Sequence, residues 1–255
     1  MKIIACIPAR YGSSRLYGKL LLEINNKPII QHVYERVCQV SMLSDIIVLT
    51  DDEKIANVIR NINGNVKMIT KECLNGTERI CYYLDTIDYS NTIVVNVQGD
   101  EPFIDPENIK LAINNYINRQ KVDPKIVCST LHYETTDENA IKNHSRGKLV
   151  MDLEGNIMYC SRNPIPASKL NELVYDKDGN IIKYNLHIGV FVFNAEYLMK
   201  HYRNNNTPLQ LCEDIEWMKI MEQGFHINSV KTDKHEIGVD TIYDYNYLKN
   251  THLDL

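Results

Sequence analysis

Ile3-Ile-Ala-Cys-Ile-Pro-Ala-Arg-Tyr-Gly-Ser-Ser-Arg-Leu-Tyr-Gly-Lys19 is the stretch that decides the fold. Five apolar residues, Ile3 to Ile7, run without a polar break into a Pro-Ala-Arg turn, as a strand buried on both faces does. Behind it comes a loop with two glycines, two serines and three cations. Short apolar runs of the same kind recur at Ile46–Thr50, Asn65–Ile69, Thr92–Val97 and Lys125–Thr130. Helical spacing fills the gaps. Pro28–Val37 places apolar residues at 29, 30, 33, 34 and 37 with Pro28 at a first-turn position, and Asp51–Ile59 opens with acidic residues that a helix dipole favours. Strand–helix alternation implies right-handed βαβ units. The expected fold is α/β, a Rossmann-like, mostly parallel sheet flanked by helices.

From about residue 148 the pattern changes. Lys148–Asp152, Asn156–Ser161 and Leu186–Phe193 read as antiparallel strands, separated by an irregular polar stretch over 168–183 that contains the turn signal Asp176-Lys-Asp-Gly-Asn180. Glu213 to Gln223 returns to helical spacing and ends at Gly224, a C-cap residue.

Composition narrows the function. The 255 residues carry 28 Lys+Arg against 33 Asp+Glu, a net charge of −5, which argues against a dedicated nucleic-acid binder. No apolar run of about 18 residues exists, so no membrane-spanning helix is expected. Seven scattered cysteines form no C-x-x-C pair, which disfavours zinc and redox motifs and suits a reduced, cytoplasmic setting. Only nine arginines are present, so each one is informative.

The loop after the first strand holds Arg10, Arg15 and Lys19 within ten residues, a density suited to a polyphosphate. It leaves the carboxyl end of the strand, where open α/β sheets bind ligands. Gly12 and Gly18 allow close backbone approach, and Ser13 and Ser14 add donors. It is no P-loop: Leu20 follows the lysine where Ser or Thr is required. A solvated basic loop is the plain alternative. Val95-Asn-Val-Gln-Gly-Asp-Glu-Pro102 ends another apolar run with carboxylates, and Asp100 so placed can hold Mg²⁺ over phosphates. Helix capping is the alternative there, as it is for Asp240 in Gly238-Val-Asp240.

Taken together, IPARYGSSRLYGK (7–19), NGTERI (75–80), VNVQGDEP (95–102), GKLVMDLEGN (147–156), YCSRNPIP (159–166), LHIGVF (186–191) and GVDT (238–241) resemble the 3-deoxy-manno-octulosonate cytidylyltransferase family over nearly the whole chain. The resemblance implies the nucleotide-diphospho-sugar transferase fold and one domain over 1–255. Residues 1–147 would mainly bind nucleotide, 148–212 would serve sugar binding and dimerisation, and 213–255 would return to the main body. It also implies the reaction: a 3-deoxy-2-keto sugar acid attacks CTP, giving a CMP-sugar and pyrophosphate.

By the same resemblance Arg10, Arg15 and Lys19 hold the triphosphate, and Asp100 and Asp240 bind Mg²⁺. Ala9, Gly76, Thr77, Arg79 and Gln98 surround the cytidine. Arg162, His187, Glu213 and Glu216 form the sugar-acid pocket, the two glutamates on one face of a helix. A homodimer is implied, with no nucleic-acid or membrane partner. Several departures fall on the sugar side. Tyr17 stands where the family has Pro, Phe191 and Phe193 where it has Tyr, Trp217 where it has Gln, and Ile242 where it has Pro. The resemblance implies Kdo or a close relative as acceptor, and the polar groups lost on that side point to a relative, a modified or differently substituted sugar acid such as amino-Kdo or a sialate-type acid. A catalytically silent nucleotide-binding relative is the rival from another class.

Overall fold

A computed structural model of the chain describes residues 1–13, 15–167, 174–203, 205–235 and 237–251. Ser14 and residues 168–173, the first part of the polar stretch, lie outside them. In chain order the elements are β1 (Lys2–Ala9), a short hairpin of β2 (Glu23–Ile24) and β3 (Lys27–Pro28), α1 (Ile29–Val37), β4 (Asp45–Thr50), α2 (Glu53–Asn61), β5 (Val66–Met68), α3 (Gly76–Leu84) and β6 (Thr92–Val97). There follow α4 (Pro106–Val122), β7 (Ile126–Thr135), α5 (Glu138–Lys142), β8 (Lys148–Met151), β9 (Ile157–Ser161) and β10 (Tyr184–Asn194). The chain closes with α6 (Ala195–Tyr197), α7 (Pro208–Glu213), α8 (Met218–Glu222), β11 (His226–Lys231) and α9 (Ile242–Thr251).

Two compact units emerge. The first comprises Met1–Leu111, Val190–Arg203 and His235–Leu255; the second comprises Ala112–Gly189 and Asn204–Lys234. The pattern change read at residue 148 therefore falls inside the second unit, which begins at Ala112.

In the first unit β6, β1, β4 and β5 lie side by side, all parallel, and Val190–Asn194 of β10 runs antiparallel on β6. The apolar runs explain this. All six residues of β6 are buried, and Ile3–Ile7 of β1 are at most 7% exposed. Such strands need cover on both faces. Helix α1 supplies cover with Ile29, Ile30, Val33, Tyr34 and Val37, and α2 with Ile55, Ala56 and Ile59. Parallel register pairs Ala9 with Thr50, so the loops after β1 and β4 leave the same edge of the sheet.

Two helix starts differ from expectation. Pro28 is the residue before α1, with φ −56° and ψ 144°, so it caps the helix instead of opening it. Helix α2 begins at Glu53 behind Asp52, whose side chain accepts from Lys54 N at 2.7 Å. Asp51 is thereby released from the helix.

In the second unit β7 pairs with β11 in parallel, β8 is antiparallel to both β9 and β10, and β7 neighbours β10. The predicted turn forms: Gly179, at φ +80°, donates its N–H to the Asp176 carbonyl at 3.1 Å. The continuous helix expected over 213–223 does not. Asp214 adopts the left-handed conformation (φ 52°, ψ 45°) and ends α7. Helix α8 starts only at Met218, leaving Glu213 as the last residue of one helix and Glu216 in the turn before the next. They do not share a helical face.

Candidate active site

At the carboxyl edge of the parallel strands of the first unit, charges of both signs converge. Lys19 opens a 3₁₀ turn after the loop, and its Nζ lies 2.5 Å from Asp100 Oδ2 and 3.3 Å from Asp240 Oδ1. Arg15 reaches the same Asp240 oxygen at 3.0 Å. The backbone sets this geometry. Val239 N–H donates to the Asp100 carbonyl at 2.8 Å, tying the segment of Asp240 to the end of β6. Asp244 then accepts from the N–H groups of Asp240 and Thr241, fixing the start of α9. Gly18 sits at φ +66°, the left-handed turn that delivers Lys19 to the carboxylates. Gly12 needs no such explanation, since a Cβ there would meet nothing within 4 Å.

Two further glycines press on Pro8 at the end of β1. A Cβ on Gly99 would stand 2.9 Å from the Pro8 carbonyl oxygen, and one on Gly76 would stand 3.2 Å from the Pro8 ring. The strand-end turn of β6 is thus packed against the β1 backbone so closely that Gly99 leaves no room for a side chain, while the start of α3 packs tightly on the Pro8 ring.

Among the described residues no group of three or more His, Cys, Asp or Glu side chains is placed to hold a metal ion. Two carboxylates do converge, and the Lys19 ammonium between them occupies the place of a cation. That donor set fits Mg²⁺, which binds through one or two carboxylates and completes its shell with phosphate oxygens and water. It does not fit an ion needing an all-protein cage.

The residues expected around the base divide in two. Thr77, buried, accepts at Oγ1 from Asn96 Nδ2 at 3.1 Å, and Gln98 Nε2 donates to Asn96 Oδ1 at 3.4 Å. A polar ladder therefore runs from Gln98 to the first turn of α3, with Ala9 buried in β1. Asn96, fully buried, escaped notice within a strand that reads as apolar. Arg79 differs: it is 4% exposed, and its guanidinium donates to the Ile69 carbonyl at 2.8 Å and to Asp51 Oδ2 at 2.9 Å. Arg10 is exposed at the strand end.

In the second unit His187 is half-buried. Its Nε2 is 2.8 Å from Thr130 Oγ1, and its ring lies against Trp217 at 5.3 Å between centroids. Burial pushes its pKa down to about 3, with His132 nearby adding to the effect. Burial likewise holds His132 at about 4. Both are neutral when folded and titrate near 6.5 when unfolded, so the unfolded chain binds more protons between pH 4 and 6.5. Stability from this source is complete above pH 6.5 and falls on acidification, by about 1.4 kcal/mol per histidine per pH unit. Urea midpoints measured from pH 7 to 4.5 should show this slope, and His187→Gln should roughly halve it, leaving the share of His132.

Arg162 does not stand ready for a carboxylate. Nε donates to the Glu213 carbonyl, Nη1 to those of His144 and Ser145, and Nη2 to that of Asp214, with the Asp214 carboxylate 3.5 Å away. Four backbone carbonyls thus accept from one guanidinium. Glu213 in turn accepts from Tyr159 Oη, Ser161 Oγ and Arg162 N. The pair locks the end of β9 to the α7–α8 turn, which carries Glu216. Lys148, the first residue of β8, completes the lock: fully buried, it donates to the carbonyls of Asn143, Arg146 and Arg162. Burial pulls its pKa down to about 8. Phe191 and Phe193 belong to the first unit's core, 3% and 1% exposed and stacked on each other at 5.8 Å. The hydroxyls missing there are missing from a core.

Cations of a strand-end loop here face two converging carboxylates on a parallel sheet, a donor set suited to a polyphosphate and a divalent cation. Residues 4–232 match the cytidylyltransferase family. The chain is 41% identical over 245 residues to a 3-deoxy-manno-octulosonate cytidylyltransferase of Protochlamydia amoebophila, covering 95% of this chain and 91% of that one. It is 39% identical over 248 residues to the enzyme of the same name from Geobacter metallireducens, covering 96% and 95%. A solved structure of CMP:2-keto-3-deoxy-manno-octonic acid synthetase complexed with CTP superposes with a TM-score of 0.84 at 29% identity, covering 98% of each chain. The chain belongs to the 3-deoxy-manno-octulosonate branch of the cytidylyltransferases, and its fold is that of the nucleotide-diphospho-sugar transferases.

Proposed function

We propose that this chain transfers CMP from CTP to 3-deoxy-manno-octulosonate (Kdo), releasing pyrophosphate. The convergence of Asp100 and Asp240 on Lys19 at the end of the parallel strands carries the reading. Without ligand the cluster of Arg15, Lys19, Asp100 and Asp240 is neutral. When the triphosphate enters, Lys19 and Arg15 exchange carboxylate for phosphate oxygens and, with Arg10, offset the charge that builds on the leaving pyrophosphate. Asp100 and Asp240 are then free to hold Mg²⁺, which when bound supplies Lewis-acid charge at the phosphates and lowers the pKa of the attacking hydroxyl. Ala9, Gly76, Thr77 and the Gln98 amide hold the cytidine. His187, neutral at physiological pH, and Glu216 address the acceptor hydroxyls, while Arg162 and Glu213 act one step back by fixing the turn that bears Glu216. Holding the anomeric hydroxyl in line with the α-phosphorus supplies the remaining acceleration.

Among the described residues no helix is long and apolar enough to cross a membrane. Free cysteines throughout fit a cytoplasmic enzyme. A homodimer, the assembly the family resemblance implies, would cover some of the apolar surface that the second unit exposes at Leu153, Met158 and Leu211. Incubation with each of the four nucleoside triphosphates, Mg²⁺ and Kdo, amino-Kdo or a sialate should release pyrophosphate efficiently only with CTP and Kdo. The product mass should be that of CMP-Kdo. Absence of product from that pair, or a clear preference for another acid, overturns the reading.

A further inference from the structure

Asp51 occupies a junction that the reaction scheme above does not use. It is the first residue after β4, and the register Ala9↔Thr50 sets it beside Arg10 across two parallel strands. Its two carboxylate oxygens face different elements. Oδ1 accepts from Tyr11 N–H at 3.0 Å; Oδ2 accepts from Arg79 Nη2 at 2.9 Å.

Tyr11 is the hinge of the cationic loop. Its carbonyl accepts from Gly18 N–H at 3.2 Å, closing the loop on itself one residue before Lys19. Its ring takes the edge of Tyr17 at 5.0 Å between centroids and has Lys54 Nζ 4.9 Å from its centroid. Arg79 lies on α3, in the segment that begins with Gly76 and Thr77, and its guanidinium is also bound to the Ile69 carbonyl beyond β5. A buried guanidinium with two fixed acceptors is a rigid post. Asp51 joins that post to the loop.

We propose that Asp51 is a positioning residue for CTP: through Tyr11 N–H it fixes the loop of Arg10, Arg15 and Lys19, and through Arg79 it couples that loop to the start of α3. Arg79 then serves the nucleotide at one remove, by holding Asp51. This rests on the CTP reading above, and wild-type turnover of CTP tests that reading separately from the present one.

Asp51→Ala removes both bonds, whereas Asp51→Asn keeps one acceptor oxygen and the shape while losing the charge. With wild type turning over CTP, Asp51→Ala should raise KM for CTP about tenfold, the scale of one lost charge-assisted hydrogen bond. KM for Kdo should stay within about twofold, and kcat at saturating CTP within about threefold. Asp51→Asn can still accept from Tyr11 N–H but turns an amide N–H toward Arg79, so it should show a smaller rise in KM for CTP, about threefold. Because the loop grips phosphates, the loss of binding in calorimetry should be larger for CTP than for CMP. If Asp51→Ala does not give a cooperative thermal transition, Asp51→Asn carries the test with the same CTP-against-CMP comparison. An unchanged KM for CTP overturns the proposal. So does a parallel rise of both KM values, or an equal loss of CTP and CMP binding, since any of these would mark Asp51 as general scaffolding.

Discussion

Asp100→Asn should lower kcat by about three orders of magnitude while leaving the fold intact. The variant keeps the size and planarity of the side chain and loses its charge. In the free protein Asp100 balances Lys19 at 2.5 Å, and the carboxylate side chain is 27% exposed, so its loss costs stability on the order of 1 kcal/mol or less. On the proposed scheme the charge is needed for something no amide replaces: Asp100 is one of the two carboxylates that would hold a divalent cation over the phosphates. The predicted signature is a collapse of pyrophosphate release with a melting temperature within a few degrees of wild type. The apparent Mg²⁺ requirement should rise as well, because one charged ligand remains where two converged. Asp240→Asn should behave alike, with a smaller effect on Lys19 and a larger one on Arg15, which it also pairs at 3.0 Å. Turnover above about a tenth of wild type in Asp100→Asn would remove Asp100 from the metal site.

What could be read from residues alone was whatever local pattern dictates. The runs at β1, β4 and β6 were legible because a parallel strand covered on both faces leaves a continuous apolar signature. The loop after β1 was legible because three cations in ten residues, at a strand end, have few structural uses. What escaped depends on contacts between distant parts of the chain. Asp51 looks like one more acid in a helix start, and only the parallel register shows that it faces Tyr11 and Arg79 instead. Arg162 has the chemistry to bind a carboxylate, yet four backbone carbonyls from two segments converge on it. The break at Asp214 is a single residue's backbone choice inside a stretch with helical spacing. Phe191 and Phe193 read as altered pocket residues, but β10 is buried on both faces over 190–193, which places both rings in the core.

Lys19→Met carries the other large effect, and its size depends on which state of the protein is considered. Without ligand, removal of the ammonium leaves Asp100 and Asp240 converging with only Arg15 beside them. The two like charges then repel, but solvent reaches both carboxylates and screens them, which keeps the cost to stability small. With CTP bound no such relief exists, because the missing cation faces phosphate oxygens whose charge grows as pyrophosphate leaves. We expect kcat/KM for CTP to fall by about 10²- to 10³-fold, most of it in kcat. Lys19→Arg should recover about tenfold of this: it restores the charge, but a planar fork cannot sit between Asp100 Oδ2 and Asp240 Oδ1 as a single ammonium does. The double variant Lys19→Met/Asp100→Asn discriminates further. If the two side chains act as one unit, trading partners when CTP enters, the combined loss will be well short of the product of the single losses. Multiplicative losses would show instead that Lys19 serves the phosphates independently of the carboxylate pair, and the exchange of partners would have to be abandoned.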